Sequence, residues 1–422
     1  MPLLRAALGA ALIIASAAGH AESILIRNAR VHTVAAAGTL EATDVLISGE
    51  KIAAVGKDLA VPAGARVINA RGRPMTPGLF GGLTRTGVIE IGLEPTADDD
   101  SIALGGMRPE FDLALAYNPS ATAVGVNRAD GVTFVTLAPS PGGIGGPLGS
   151  GSILAGQGAL FRLDGRDQPE GPGNRAMFIE FGGDSAGLAG GSRAAQFMLL
   201  HQAFVEARTP AQMMAHDERL LTVTGRQVLA DYLKNQRLFV INVDRAVDIR
   251  RLIAFAREEG FRFAVSHGDE AWRVARELAA AKVAVILDPL DDLPENFDKV
   301  GASLQNAARL AKAGVPIAFS IGERTPYGPG KQRQTAGNAV AHGLDWDVAL
   351  AAITRTPAEI FGVADRIGSI EIGKQADLVL WSGDPLEVTT LAEQVIIAGK
   401  AMPTRSRQTE LRDRYMERLK LR

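Results

Sequence analysis

The stretch ITRTPAEIFGVADRIGSIEIGKQADLVLWSGDP, residues 353–385, ends a long series of alternating strand-like and helix-like runs. Its last part, 376–385, reads as a strand, and another strand-like run follows at 393–402. The same pattern of short strands and turns is found in residues 22–75, near the other end of the chain. If the two ends meet in space, they complete one β unit. The alternative is two separate β appendages, each with a thin core.

The chain between these ends alternates between apolar strands and helix-like runs. The strand-like runs are VTFVTLAP (132–139), AMFIEFGG (176–183), LFVINVD (238–244), FRFAVSH (261–267), VAVILDP (283–289) and VPIAFSI (315–321). Each is almost continuously apolar, as expected when both faces of a strand are covered. Repeated β-then-α units of this length favour a (β/α)8 barrel over a doubly wound sheet, with the functional site at the C-terminal ends of the strands.

The first 21 residues differ from the rest of the chain. Arg5 is their only charge, an apolar run covers 6–18, and small residues precede position 22. This pattern predicts a secretory signal peptide cleaved after Ala21, and the run is short for the alternative of a membrane anchor. We therefore expect a periplasmic or secreted protein without membrane association after cleavage.

Composition excludes several kinds of function. The 422-residue chain contains no cysteine, which excludes disulfides, thiolate metal sites and cysteine nucleophiles. Its formal net charge is −2 and no basic block occurs, so we expect no nucleic-acid partner.

Three segments together resemble the amidohydrolase superfamily, in its imidazolonepropionase-like branch. They are ARGRPMTPGLF (70–80), NPSATAVGVNRADGVTFV (118–135) and the quoted 353–385 stretch. The last is the most specific, because it matches the family pattern at Thr354, Pro357, Ala358, Gly362, Gly368, Ile370, Gly373, Lys374, Ala376, Asp377 and Leu378. The resemblance covers about residues 23–402.

The resemblance implies a domain organisation. A (β/α)8 TIM-like barrel would span 76–365, and a small β-sandwich built from both chain ends would combine 22–75 with 366–402. Residues 1–21 would be the signal peptide, and 403–422 would form a charged C-terminal helix.

The resemblance also implies one or two divalent metals at the barrel mouth, where a metal-bound water attacks the substrate. The family's ligands are a His-x-His after the first strand, a carboxylated Lys or Glu on a middle strand, histidines after the fifth and sixth strands, and an aspartate after the eighth. In this chain Leu83-Thr84-Arg85 replaces the His-x-His. Leu83 has no donor atom and Arg85 is a permanent cation.

The other ligand positions are also changed. Asn242 stands at the fifth-strand histidine position, and Gly322 stands at the aspartate position with Glu323 next to it. His267 is retained after the sixth strand, and Glu180 is the nearest candidate on a middle strand. Catalytic zinc takes about three protein ligands, so we expect no bound cofactor; zinc or another divalent metal would require displaced ligands.

Candidate pocket residues lie at the predicted strand ends. They are Arg85, Glu180, Asn242, Asp244, His267, Asp288 and Glu323, and none is assigned a catalytic role. Of these, Asp244, Asp288, Glu323 and His267 would offer three carboxylates and an imidazole, which suit a hard cation or a small molecule whose charge is balanced by Arg85. The alternative is that these aspartates are ordinary strand-end caps and salt-bridge partners.

Three hypotheses for function follow. The first is an exported member of a family that hydrolyses C–N bonds other than peptide bonds, with a degenerate metal site, acting as a non-catalytic partner of an intact paralogue in a hetero- or homo-oligomer. The second is an active metal-dependent amidohydrolase or cyclic amidase that uses displaced ligands. The third is a metal-free periplasmic protein that binds an unidentified small molecule.

Overall fold

The computed structural model describes residues 23–92, 94–104, 106–142, 151–171, 174–209, 219–321 and 325–420. The predicted signal peptide and the candidate residue Glu323 lie outside these ranges. Within these ranges, no helix is both long and apolar enough to cross a membrane.

The chain contains strands and helices in the following order. The first strands are β1 (Ser23–His32), β2 (Thr39–Ser48), β3 (Lys51–Gly56), β4 (Arg66–Asn69), β5 (Pro74–Pro77), β6 (Leu79–Thr84), β7 (Val132–Leu137) and β8 (Leu154–Arg162). They are followed by β9 (Arg175–Glu180), β10 (Leu238–Asn242), β11 (Arg262–Ser266), β12 (Val285–Leu287), β13 (Ile317–Phe319), β14 (Leu378–Trp381), β15 (Ala392–Ile397) and β16 (Lys400–Met402). The α-helices are α1 (Thr122–Ala129), α2 (Arg193–Arg208), α3 (Val223–Lys234), α4 (Ala246–Glu259), α5 (Ala275–Ala281), α6 (Asn306–Lys312), α7 (Gln332–Ala341), α8 (Trp346–Ala352), α9 (Arg355–Ile360) and α10 (Arg407–Arg418).

Strands from the two chain ends join in one sheet. Its order is β16-β15-β14-β5-β1-β2-β3, with β4 paired to β1. The junction is β5, which pairs with β1 on one side and with β14 on the other, so the alternative of separate appendages does not hold. The interior of this unit is apolar and includes Ile24, Val45, Met75 and Leu378. The hydrogen bonds define a single sheet, and its folding into two layers of a sandwich stays a prediction.

The central segment forms the predicted barrel. Its strand order is β13-β12-β11-β10-β9-β8-β7-β6, an eight-stranded sheet that nearly closes on itself. Strands β6 and β7, and β9 to β13, pair in parallel. The barrel closes through the Ser320 hydroxyl, which accepts from the Leu83 amide at 2.9 Å and donates to the Leu83 carbonyl at 3.3 Å.

One barrel strand differs from the ideal (β/α)8 pattern. Strand β8 runs antiparallel to both of its neighbours, β7 and β9. A parallel strand needs a crossover connection, usually a helix. No helix lies in the described part of 138–153, and none lies in the described part of 163–174, so β8 returns along the sheet. Gly156 and Gly158 weaken the strand signal of this segment in the sequence.

Local signals explain where the outer helices begin and end. Ser192 caps α2 by accepting from the Ala195 amide, and Thr222 caps α3 by accepting from Gly225. Gly260 ends α4 in the left-handed conformation. The C-terminal helix α10 begins with a capping box between Ser406 and Thr409, and no side chain on it is buried.

Candidate functional site

Strand alternation brings the candidate side chains to the barrel mouth, the end formed by the C-terminal ends of the parallel strands. Phe178 and Val240 belong to the apolar cluster inside the barrel. Two residues further along the same strands, Glu180 and Asn242 therefore face the same side, and they are register partners in the β9·β10 pair. The sequence places a carboxylate and an amide next to each other on the inward side of the mouth.

A chain of hydrogen bonds links three candidates. Asn242 Nδ2 donates to Glu180 Oε2 at 2.8 Å, and Asn242 Oδ1 lies 2.7 Å from His267 Nδ1. A carboxylate only accepts, so the amide nitrogen must face Glu180 and the amide oxygen must face His267. His267 therefore carries a proton on Nδ1 in this arrangement.

His267 lies in an unusual backbone conformation. Its φ is 67°, in the left-handed region that side-chain-bearing residues seldom adopt. The backbone is held there by a hydrogen bond from the His267 amide to the Ile286 carbonyl at 2.9 Å. Such strain costs about 1–3 kcal/mol and concentrates at functional sites. The conformation places the imidazole at the end of β11, beside Asn242.

Two further aspartates and a lysine lie beside His267. Asp269 Oδ2 is 3.2 Å from Lys299 Nζ, and the Asp269 amide donates to Asp244 Oδ1 at 3.4 Å. Burial raises the pKa of both Asp244 and Asp269. Burial alone would lower the pKa of Lys299, but the charges of Asp244 and Asp269 outweigh it and raise this pKa. The lysine therefore stays charged and neutralises part of the acidic cluster.

Asp288 follows β12 on the same side of the barrel. Burial raises its pKa to about 6, against a partly opposing hydrogen bond from the Leu290 amide. The charge of Asp291 raises this pKa further, and His267 lowers it. A carboxyl with this pKa exchanges its proton near neutral pH, so the mouth contains a group suited to acid–base chemistry.

At the end of the first barrel strand, Arg85 does not provide the unpaired positive charge that was expected to balance a bound small molecule. Arg85 Nε lies 2.6 Å from Asp100 Oδ2, so its charge is already paired. Burial raises the pKa of Asp100, and Arg85 opposes this shift. Leu83 is 1% exposed and packs in the apolar cluster inside the barrel.

The loop after this strand is closely held. Thr86 Oγ1 donates to the Pro326 carbonyl at 2.7 Å, and Asn127 Nδ2 donates to the same carbonyl at 2.8 Å. Asn127 also donates to Thr86 Oγ1, and Thr84 Oγ1 lies 3.0 Å from that hydroxyl. This network keeps the loop that follows β6 in place.

The structure thus groups only some of the predicted residues. Glu180, Asn242 and His267 are in contact, and Asp244 and Asp288 lie within electrostatic range of His267. Among the described residues, no three His, Cys, Asp or Glu side chains are grouped so as to hold a metal ion.

Sequence reasoning missed three charged residues of the mouth: Asp100, Asp269 and Lys299. Asp269 could have been predicted from the sequence, because it lies two residues after His267 at the same strand end. The other two residues come from irregular segments between the barrel elements, and no local pattern marks them.

Comparisons with known proteins agree with the observed fold. A model of the amidohydrolase family matches residues 231–404. The amidohydrolase tasK of Hapsidospora irregularis is 41% identical over 66 residues, which are 16% of this chain and 7% of that protein. An imidazolonepropionase from Bacteroides thetaiotaomicron is 31% identical over 160 residues, which are 32% of this chain and 37% of that enzyme. The chain thus spans well under half the length of these curated relatives.

A solved structure extends the similarity over nearly the whole chain. The amidohydrolase from Thermotoga maritima MSB8 superposes with a TM-score of 0.79 at 26% sequence identity, covering 90% of this chain and 100% of that one. Together these similarities support membership of the amidohydrolase superfamily, in its imidazolonepropionase-like branch.

Proposed function

We propose that this protein is an exported member of a C–N hydrolase family whose metal site is degenerate, and that it acts as the non-catalytic partner of an intact paralogue. The family's reaction class is hydrolysis of C–N bonds other than peptide bonds. The two residues at the family's His-x-His positions have no atom that binds a metal ion: Leu83 packs in the apolar interior and Arg85 pairs with Asp100. A divalent cation is disfavoured beside a fixed guanidinium.

The observation that carries this proposal is the hydrogen-bond chain Glu180–Asn242–His267. In the family, the corresponding side chains converge on a metal ion. Here the Asn242 amide joins the carboxylate and the imidazole to each other, using donor and acceptor groups of matching polarity. The hydrogen bonds of these polar residues are therefore made to one another, an arrangement that does not require a central ion.

Metal content tests the degenerate site. The full chain, purified from cells supplied with zinc and manganese, is analysed by elemental mass spectrometry and then titrated with each metal. We expect far less than one ion per chain and no saturable binding. One tightly held ion per chain, lost in Glu180→Gln and His267→Asn but kept in the surface variant Arg250→Gln, would contradict the proposal.

Co-purification tests the pairing. The tagged protein is isolated from its native cells under mild conditions, and its partners are identified by mass spectrometry. We expect an amidohydrolase-family chain with the complete His-x-His motif, present in a stable ratio to this chain. A protein that elutes alone in every extract counts against the partnership but leaves the metal result unaffected.

The active-hydrolase alternative remains as a second candidate because Glu180 and His267 still lie at ligand positions, close to Asp244 and Asp288. It requires these displaced groups to bind zinc or another divalent metal. The metal measurement separates the two candidates.

The third hypothesis is a metal-free protein that binds a small molecule. It predicts that a ligand binds at the mouth in a metal-free preparation, and that His267→Asn weakens this binding.

A further inference from the structure

A polar cavity lies at the end of the barrel opposite the mouth. It has a volume of about 210 Å³ and is bounded by the first residues of β9, β10 and β11 and by the chain that follows α9. Four arginines line it, Arg175, Arg237, Arg262 and Arg366. These guanidinium groups come from four separate segments of the chain, which meet at this end of the barrel.

The position of Arg262 is the least expected. Arg262 is the register partner of Leu238 in the parallel β10·β11 pair, and Leu238 packs in the apolar cluster inside the barrel. Partners in a parallel pair face the same side of the sheet, where barrels ordinarily have bulky apolar side chains. Here the guanidinium instead donates to the Ile360 carbonyl at 3.3 Å. Throughout the described ranges, Arg262 has no carboxylate partner.

The other three arginines are held in place by acidic side chains. Arg175 Nε lies 3.0 Å from Asp112, and Arg237 Nε lies 3.0 Å from Asp231. The Arg237 guanidinium also stacks on the Tyr232 ring, 5.4 Å from its centroid. These two contacts, in which Nε makes the printed approach, orient the guanidinium groups of Arg175 and Arg237 in advance.

Charge around the cavity is not balanced. Arg366 Nη1 lies 2.9 Å from Glu170, which also lies 3.5 Å from Arg162, although Arg162 has Asp377 as a nearer partner at 2.9 Å. The remaining acid near Arg366, Asp365, is 76% exposed and 3.8 Å distant, so water screens that pair. This leaves one positive charge of the cavity, that of the exposed Arg262, without a carboxylate partner among the described residues.

We propose that this cavity is a binding site for a small multivalent oxyanion, carrying phosphate or carboxylate groups. A guanidinium fork matches the geometry of both groups. The volume equals that of about seven water molecules, enough for such an ion and part of its hydration shell. A multivalent anion is required because it must compete with Asp112, Asp231 and Glu170 for the same arginines. The site is separate from the barrel mouth and independent of any reaction there.

Calorimetric titration of the full chain tests the site, with inorganic phosphate, pyrophosphate and citrate as separate probes at constant ionic strength. We expect one saturable site per chain for pyrophosphate or citrate, and the comparison of the two identifies phosphate or carboxylate as the preferred group. Arg262→Gln and Arg237→Gln should each weaken binding about tenfold or more, because each removes a charge-assisted contact.

The control is Arg250→Gln, which removes an arginine of α4 that pairs with Glu277 and is 56% exposed. Its affinity should equal that of the unmodified protein. Thermal unfolding without anion verifies that each variant is folded, and Arg366→Gln replaces any variant that is not. The proposal is overturned if no probe gives saturable binding, or if the control loses as much affinity as Arg262→Gln.

Discussion

Asp288 illustrates how one buried carboxyl couples stability to pH. Burial raises its pKa from 3.8 in the unfolded chain to about 6 in the folded protein. Between these two values the folded state holds a proton that the unfolded state has released. The free energy of unfolding therefore falls as pH rises from about 4 to about 6, and the loss persists at higher pH.

Asp288→Asn should remove this pH-dependent loss. The asparagine oxygen can still accept from the Leu290 amide, and it remains neutral at every pH. We expect the variant to be more stable by about 1–2 kcal/mol at pH 7.5, after allowance for solvent screening, and nearly unchanged at pH 4. Urea denaturation at both pH values measures this difference. The exposed neighbour Asp292→Asn is the control, and an equal gain for Asp288→Asn at both pH values would contradict the burial explanation.

Asn242, unlike Asp288, stabilises the folded protein at neutral pH, because it forms hydrogen bonds with two polar neighbours. Asn242→Ala removes its hydrogen bonds to Glu180 and His267 and should cost about 1–3 kcal/mol. Nitrogen NMR of labelled histidine should show a smaller fraction of His267 with its proton on Nδ1. The exposed Asn235→Ala, which removes a hydrogen bond to Asp231, should change stability less and leave the His267 signal unaltered. An unchanged tautomer in Asn242→Ala would mean that Asn242 does not orient the ring.

At the scale of the element, strand β8 fits between its neighbours because residue 158 is a glycine. A Cβ on Gly158 would lie 1.9 Å from the Leu137 carbonyl oxygen and 2.6 Å from the Phe178 ring. Both atoms belong to the strands on either side of β8. A backbone atom cannot give way as a flexible side chain can, so the antiparallel strand fits between its neighbours only with glycine here.

Gly158→Ala should therefore cost about 3 kcal/mol or more, or prevent folding altogether. The matched control is Gly125→Ala in α1, where a new Cβ meets no atom within 4 Å. That change should be neutral or stabilise the protein by up to about 1 kcal/mol, because alanine favours helix. Soluble yield and thermal unfolding of the two variants provide the comparison. Similar stabilities for both would show that β8 can move away from β7.

At the scale of the whole molecule, a buried ion pair joins the barrel to the sheet from both chain ends. Arg162, the last residue of β8, lies 2.9 Å from Asp377, the residue before β14. Their side chains are only 2% and 3% exposed. Asp377 also accepts from the Ala398 amide at 2.7 Å, and Trp381 on β14 donates to Thr76 on β5. The junction is therefore polar at Asp377 and densely packed around Trp381.

Arg162→Ala should cost about 3–5 kcal/mol, because it leaves a buried carboxylate without its counter-ion. Burial already raises the pKa of Asp377 and Arg162 opposes it, so the variant should regain stability as pH falls from 7 to 5. The double variant Arg162→Ala with Asp377→Asn should lose less than the sum of the single changes. Chemical denaturation of the four proteins measures the coupling, and strict additivity would contradict it.

Much of the fold follows from the sequence. Apolar runs alternating with helical segments predicted the barrel, and the barrel is confirmed. The 353–385 stretch predicted the superfamily. Both are local properties, since strand and helix periodicity and motif spacing are read along the chain without knowledge of distant contacts. The chemistry available at Leu83, Arg85 and Asn242 is also a local property, because side-chain type alone decides whether a residue has an atom that can bind a metal ion.

Only the tertiary structure decided which charges meet. The pairing of Arg85 with Asp100, the position of Lys299 beside Asp269 and the convergence of four arginines under the barrel depend on how distant segments close in space. The direction of β8 was settled in the same way, by neighbours on both sides and not by its own residues. Electrostatic partners and strand direction are long-range properties, because a side chain several elements away lies within a few ångströms only after the barrel has formed.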